Sequence, residues 1–132
     1  MAGRGFYWFK LDLDMLQDPK VARVVDEWGA EGIGVWTTAM IVMHSAINDG
    51  EPWLPVDRLV RRVAASANMT KNRAKKVLFS CKNAGLFDQE LWDEGKAMNE
   101  RVAARYLDYQ RRCEQLATAR ASKGGSDNRA DT

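Results

Sequence analysis

The sequence predicts a mainly α fold: a winged helix-turn-helix with a small β-hairpin wing and a long C-terminal helix. Three observations lead there. Apolar residues recur at helical spacing through most of the chain. Two helical stretches, Val56 to Ala67 and Thr70 to Asn83, are separated only by a turn at Asn68-Met69. The second of them is apolar on one side and basic on the other.

The elements follow in order. Phe6 to Leu13 is aromatic and partly alternating, which reads as a short strand. Asp18-Pro19 is a helix start, an N-cap followed by proline at the first helical position. The helix it opens carries Val21, Val24, Val25 and Trp28 inward, and Gly29 supplies its stop. A second helix over Glu31 to Ile47 is apolar nearly all round and is expected at the centre of the core. Asp49-Gly50 is a turn, and Pro52-Trp53-Leu54-Pro55 has room only for a brief extended piece.

In the third helix, Val56, Leu59, Val60, Val63, Ala64 and Ala67 share one face, while Arg58, Arg61 and Arg62 point elsewhere. Thr70 caps a fourth helix that runs to Asn83 and ends at Gly85, with Ala74, Val77, Leu78 and Cys81 as its inner stripe. Leu86-Phe87-Asp88 and Lys96-Ala97-Met98, joined by an acidic turn at 89–95, are expected to pair as the hairpin. A last helix covers Asn99 to Ala121. Val102, Tyr106, Tyr109, Cys113 and Leu116 lie along it at spacings of four and three. From Ser122 the chain is polar and is expected to be disordered. The expected organisation is therefore one domain over 1–121 and a polar tail over 122–132.

With 132 residues, 45% hydrophobic and 29% charged, the chain has the balance of one globular domain. Two cysteines, Cys81 and Cys113, are too few for a disulfide scaffold, and the N-terminus lacks a secretory leader. The longest apolar stretch, Ile33 to Ile47, includes polar residues and is too short for a membrane span. A cytoplasmic protein with no membrane association is the expectation.

Net charge is only +2, but it is unevenly spread. Residues 55–84 carry eight Lys or Arg against Asp57 alone, whereas 1–54 and 85–100 are both net acidic. A positive field confined to one thirty-residue block is the arrangement that a polyanion binder needs. Helices also place lysines in water for solubility, and charge alone does not separate these readings.

Catalytic constellations are missing from the sequence. His44 is the single histidine, set on an apolar helix, and reads as a packed core residue rather than a ligand. Asp12, Asp14 and Asp18 hint at a calcium loop, but Leu16, Gln17 and Arg23 stand where an oxygen ligand, a glycine and a glutamate are required. Gly29, Gly32 and Gly34 do not follow the phosphate-loop order and read as a helix stop and close packing. Cys81, on an apolar face, reads as an inert thiol. No enzyme activity, metal or cofactor is expected.

What remains is the helix-turn-helix. The DNA major groove admits one helix while a second crosses the phosphate backbone behind it. Asn72, Lys76 and Asn83 point outward on the fourth helix, where amides and amines reach base edges. Arg58, Arg61, Arg62, Lys71, Lys75 and Lys82 suit phosphates, with Arg73 alongside them on the DNA-binding side and Lys96 on the wing as a further contact.

The sequence also resembles a known family. Phe6-Tyr-Trp-Phe-Lys-Leu-Asp, Asp18-Pro-Lys, Trp28-Gly-Ala-Glu-Gly-Ile-Gly-Val-Trp and Gly85-Leu-Phe-Asp look like the N-terminal domain of phage replisome organisers and the related DnaD-like primosome proteins. The resemblance spans roughly 6–112. It implies a winged-helix fold, a phage or prophage origin, and a role in replication initiation or transcriptional regulation. Replisome organisers of this type usually continue into a C-terminal domain, whose helicase loading and single-strand binding are not carried over.

Two functional readings stand side by side. One is a double-stranded DNA binder using the block 55–84. The other is a small phage accessory protein that binds a host or phage protein through the same scaffold, for example an inhibitor of a bacterial defence system. Phe79 bears on the choice, because it falls on the outward side of the fourth helix. There it packs beneath the wing, touches a thymine methyl, or anchors a protein partner. The acidic wing, with Asp88, Glu90, Asp93 and Glu94, favours the protein reading. The last helix either covers the core along its whole seam or pairs its distal half with a second copy as a homodimer.

Overall fold

The computed structural model describes residues 14–47 and 52–131, with side chains from 14–46 and 52–122. The strand expected over Phe6 to Leu13, Asp12 of the calcium reading and the turn at Asp49-Gly50 lie outside the described residues.

A single 3-10 turn, Met15–Gln17, leads into α1, Pro19–Trp28. The Asp18 side chain accepts from the Lys20 amide at 2.9 Å, and proline sits where no intrahelical donor is needed. Gly29 ends the helix at φ 63°, a conformation that glycine adopts without a Cβ penalty. The chain turns at once into α2, Ala30–Ile47, which buries Val35, Trp36, Ala39, Met40, Val42, Met43, His44 and Ala46. α2 is the central helix, although Ile41 stands exposed. Gly32 allows α1 and α2 to approach closely: a Cβ there would lie 2.8 Å from Val24 Cγ1 and 3.0 Å from the Val24 carbonyl oxygen. Gly34 faces open space, so close packing accounts for one of these two glycines and not the other.

β1, Leu54–Pro55, precedes α3, Val56–Ser66, whose inner face is Leu59, Val60, Val63 and Ala64. Ala67, expected on that face, is exposed, because it is already the C-cap and the chain is leaving the helix. Asn68 takes φ 54°, a left-handed conformation that asparagine tolerates better than most residues, and turns the chain toward the next helix. α4, Lys71–Asn83, begins at Thr70, whose hydroxyl accepts from the Arg73 amide at 3.2 Å. Ala74, Val77, Leu78 and Cys81 are buried, the inner stripe read from the sequence.

The wing departs from expectation. Residues expected as an acidic turn form a short helix, α5, Gln89–Asp93, capped by the Asp88 side chain, which accepts from the Leu91 amide at 2.9 Å. β2, Lys96–Ala97, pairs antiparallel with β1, Leu54 opposite Ala97 and Pro55 opposite Lys96. The sheet is therefore not a local hairpin: the strand before the helix-turn-helix pairs with the strand after it. Only one backbone bond, Asp88 N–H to the Met98 carbonyl at 2.9 Å, joins the two stretches expected to pair. The β1–β2 pairing brings together Leu54 and Ala97, both buried.

α6, Glu100–Asp131, starts at Asn99, whose side-chain oxygen accepts from the Val102 amide at 3.1 Å while its amide donates to the Leu86 carbonyl at 2.7 Å. Its backbone continues helical beyond Ala121, where the sequence reading ends it. Every residue from Gln110 to Ser122 is exposed. Val102 is buried, Tyr106 and Tyr109 are half-buried, and Cys113 and Leu116 are exposed. The proximal half of the seam thus covers the core and the distal half does not. Phe87 seals the bundle floor, edge-on to Trp36 at 5.5 Å and tilted against Trp92 at 5.0 Å between ring centroids.

Candidate nucleic-acid interface

The side of α4 opposite its buried stripe carries Asn72, Lys76, Phe79 and Asn83, spaced four, three and four, and all four are exposed. These residues line up along the helix because the spacing alternates about its turn length. Lys75 is exposed alongside them. Lys82 is half-buried, with Nζ 5.2 Å above the Phe79 ring. Its carbonyl accepts a long bond, 3.4 Å, from the Gln89 side chain at the start of α5.

On α3, Arg58, Arg61 and Arg62 all project to solvent. Asp57 joins the exposed sides of the two helices, with its carboxylate 3.0 Å from Arg61 and 3.5 Å from Lys71. These two cations are therefore partly neutralised within the protein. Such exposed pairs are weak and open readily to competing anions. Among the described residues, Arg58, Arg62, Lys75 and Lys76 have no ion-pair partner, and neither the Asn72 nor the Asn83 amide is hydrogen-bonded.

Two residues of the sequence-derived set are occupied elsewhere. Arg73 turns away from the stripe: its Nε and Nη2 hold Glu31 at 2.7–3.1 Å, and its guanidinium lies 4.9 Å from the Trp28 ring centroid. Trp28 in turn donates its indole N–H to Ser80 at 2.8 Å. This cluster fastens α4 to α1 and α2, and its partners, 42 and 52 residues apart in sequence, leave no local signal. Lys96 is on β2, with Nζ 4.9 Å from the Trp53 ring centroid and 3.8 Å from Glu94.

Other chemistry is structural. His44 is 2% exposed; its Nδ1 donates to the Met40 carbonyl at 2.7 Å, and Nε2 accepts from Arg105 at 3.3 Å. These partners set a neutral tautomer. Burial pushes the Cys81 thiol up to about 12. No cluster of three or more His, Cys, Asp or Glu among the described residues is placed to hold a metal ion. A groove of about 620 Å³ lies on another side, between the starts of α1 and α6, and Asp14, the first described residue, forms part of its wall.

The family model described as Lin1244/Lin1753-like, N-terminal, matches residues 8–100. The chain belongs to this family. The matched region closes at the first residue of α6, so the Lin1244/Lin1753-like domain comprises the α1–α5 bundle with its two-stranded sheet. The long helix extends beyond it. No curated protein and no solved structure matched the chain. Among the described residues, no helix of this family member is long and apolar enough to cross a membrane.

Proposed function

We propose that the protein binds double-stranded DNA, laying α4 in the major groove while α3 crosses the phosphate backbone behind it. One observation carries the reading. The outward face of α4 presents exposed amides and a lysine in a single row, and Arg58, Arg62, Lys75 and Lys76 are all exposed and paired with no carboxylate among the described residues. Arg58, Arg62 and Lys75 supply phosphate contacts, and Asn72, Lys76 and Asn83 face the bases. Its role is binding rather than catalysis. The likeness to phage replisome organisers supports a place in replication initiation or transcriptional regulation of a phage or prophage, in the cytoplasm of the host.

Fluorescence anisotropy with a mixed-sequence duplex tests this. Affinity is expected to fall steeply with salt, and Lys75→Ala with Lys76→Ala to weaken binding and lower the logarithmic salt slope by about 1, the share of the Lys75 phosphate contact. Absence of binding at low salt overturns the proposal.

A second reading rests on α5. Glu90, Asp93 and Glu94, with Asp88 at its cap, are exposed beside the C-terminal end of α4 and repel phosphate. They suit a basic protein partner, with Phe79 as its anchor. The exposed Cys113 and Leu116 leave room for a homodimer through the distal half of α6, which light scattering of the eluting peak measures directly.

A further inference from the structure

We propose that Phe79 is a specificity-determining residue, reading the 5-methyl group of thymine from the middle of the α4 row. The inference deepens the duplex-binding proposal above and rests on it.

Phe79 is 50% exposed on a helix whose apolar needs are met elsewhere by Ala74, Val77, Leu78 and Cys81. It belongs neither to the buried core nor to the partly buried hydrophobic residues packed against that core, so the ring does not serve the domain's interior. Its position decides what it meets. From Asn72 to Asn83 the row runs for about 16 Å, at 1.5 Å per residue, or roughly five base pairs at 3.4 Å each. Phe79 stands inside that span, seven residues from one asparagine and four from the other.

In the major groove the apolar feature of the base edges is the C5-methyl of thymine, and phenylalanine is one of the side chains that meet it. Asparagine pairs bidentately with the N6 and N7 of adenine, which faces thymine in the same pair. A row of amide, lysine, phenyl and amide is thus suited to A·T-containing sites. Charge supports the same occupant: Lys76 stands in the row, Lys75 is exposed beside it, and Lys82 sits over the ring itself, where a phosphate-lined groove is complementary.

The test compares an alternating A·T duplex with the same duplex carrying deoxyuridine for every thymine, which deletes the methyl and leaves the pairing. A G·C duplex with cytosine or 5-methylcytosine returns a methyl to the same groove position. Wild type is expected to bind the methylated member of each pair more tightly, by roughly fourfold per methyl contacted. Phe79→Ala should abolish that ratio, and Phe79→Leu should keep part of it. Lys75→Ala with Lys76→Ala should weaken both members alike. Equal binding of thymine and uracil duplexes by wild type, or a ratio unchanged in Phe79→Ala, overturns the role of Phe79 and leaves duplex binding standing. Failure to bind any duplex at low salt overturns both proposals and moves Phe79 to the protein-anchor reading.

Discussion

Arg73 holds Glu31 with two nitrogens, Nη2 at 2.7 Å and Nε at 3.0–3.1 Å, and so ties the first turn of α4 to the first turn of α2. An arginine in the basic helix of a helix-turn-helix is thereby a fastener of that helix. Arg73→Lys keeps the charge but loses the planar fork. It should lower the melting temperature slightly and leave the salt slope of duplex binding unchanged. Lys75→Ala with Lys76→Ala should do the reverse. The Arg73 hydrogen bonds hold the Glu31 carboxyl below its ordinary value of 4.5. The native state therefore takes up this proton later than the unfolded chain. The contribution is complete above the ordinary carboxylate range and disappears as pH falls through the lowered native value. Melting curves of wild type and Arg73→Lys should converge under acid conditions.

Local signals explain what the sequence disclosed. The Asp18-Pro19 start, the Gly29 stop and the Thr70 cap are written within a few residues of the backbone groups they satisfy. The inner stripe of α4 and its outward row follow from helical periodicity alone. Pairing across the chain was not legible in this way. Strands of two residues carry almost no alternation, so nothing in Lys96-Ala97 says that its partner is Leu54-Pro55 rather than Leu86-Phe87-Asp88. The stretch 89–95 reads as an acidic turn on composition, whereas Asp88, read as the end of a strand, caps a helix there. The commitment of Arg73 depends on Glu31 and Trp28, which only folding brings near.

The two thiols should differ sharply in reactivity. Cys81 is buried among the inner residues of α4, its pKa pushed up to about 12, whereas Cys113 stands exposed on α6. The thiolate is the reactive species, and it must also be reachable. Native protein should therefore consume one equivalent of a disulfide reagent rapidly, and the second only on unfolding. Cys113→Ser should remove the fast phase entirely. A fast phase that survives in Cys113→Ser would show that α4 opens from the core.

His44 gives the fold a pH dependence of definite sign. Burial, with Arg105 adding to it against the Met40 carbonyl bond, holds the imidazole below its ordinary 6.5. The unfolded chain therefore binds this proton before the native state does. Stability should fall as pH drops below about 6.5, and the slope should level once the native ring is also protonated. Denaturant midpoints between about pH 7.5 and 5.5 read the effect before most carboxylates titrate. In His44→Gln the midpoint should be lower throughout, but its slope in this window should be lost. A slope that persists in His44→Gln assigns the pH dependence to other groups.

Gly32 and Gly34, two residues apart on α2, should respond to the same substitution with opposite signs. Alanine is the better helix former, and in an exposed helix it gains about 0.5–1 kcal/mol over glycine. At Gly34 nothing stands within reach of the added methyl, so Gly34→Ala should raise stability by about that amount. At Gly32 the methyl would meet Val24 Cγ1 at 2.8 Å, the Val24 carbonyl oxygen at 3.0 Å and Trp28 Cβ at 3.2 Å. The carbonyl belongs to the backbone of α1 and cannot rotate away, so α1 and α2 must separate. Gly32→Ala should therefore cost about 1–3 kcal/mol despite the better propensity. It should also disturb the Trp28–Ser80 bond, because Trp28 is one of the displaced neighbours. Urea denaturation of the two variants beside wild type measures both signs. Equal stabilisation by the two alanines would overturn the close α1–α2 contact at Gly32.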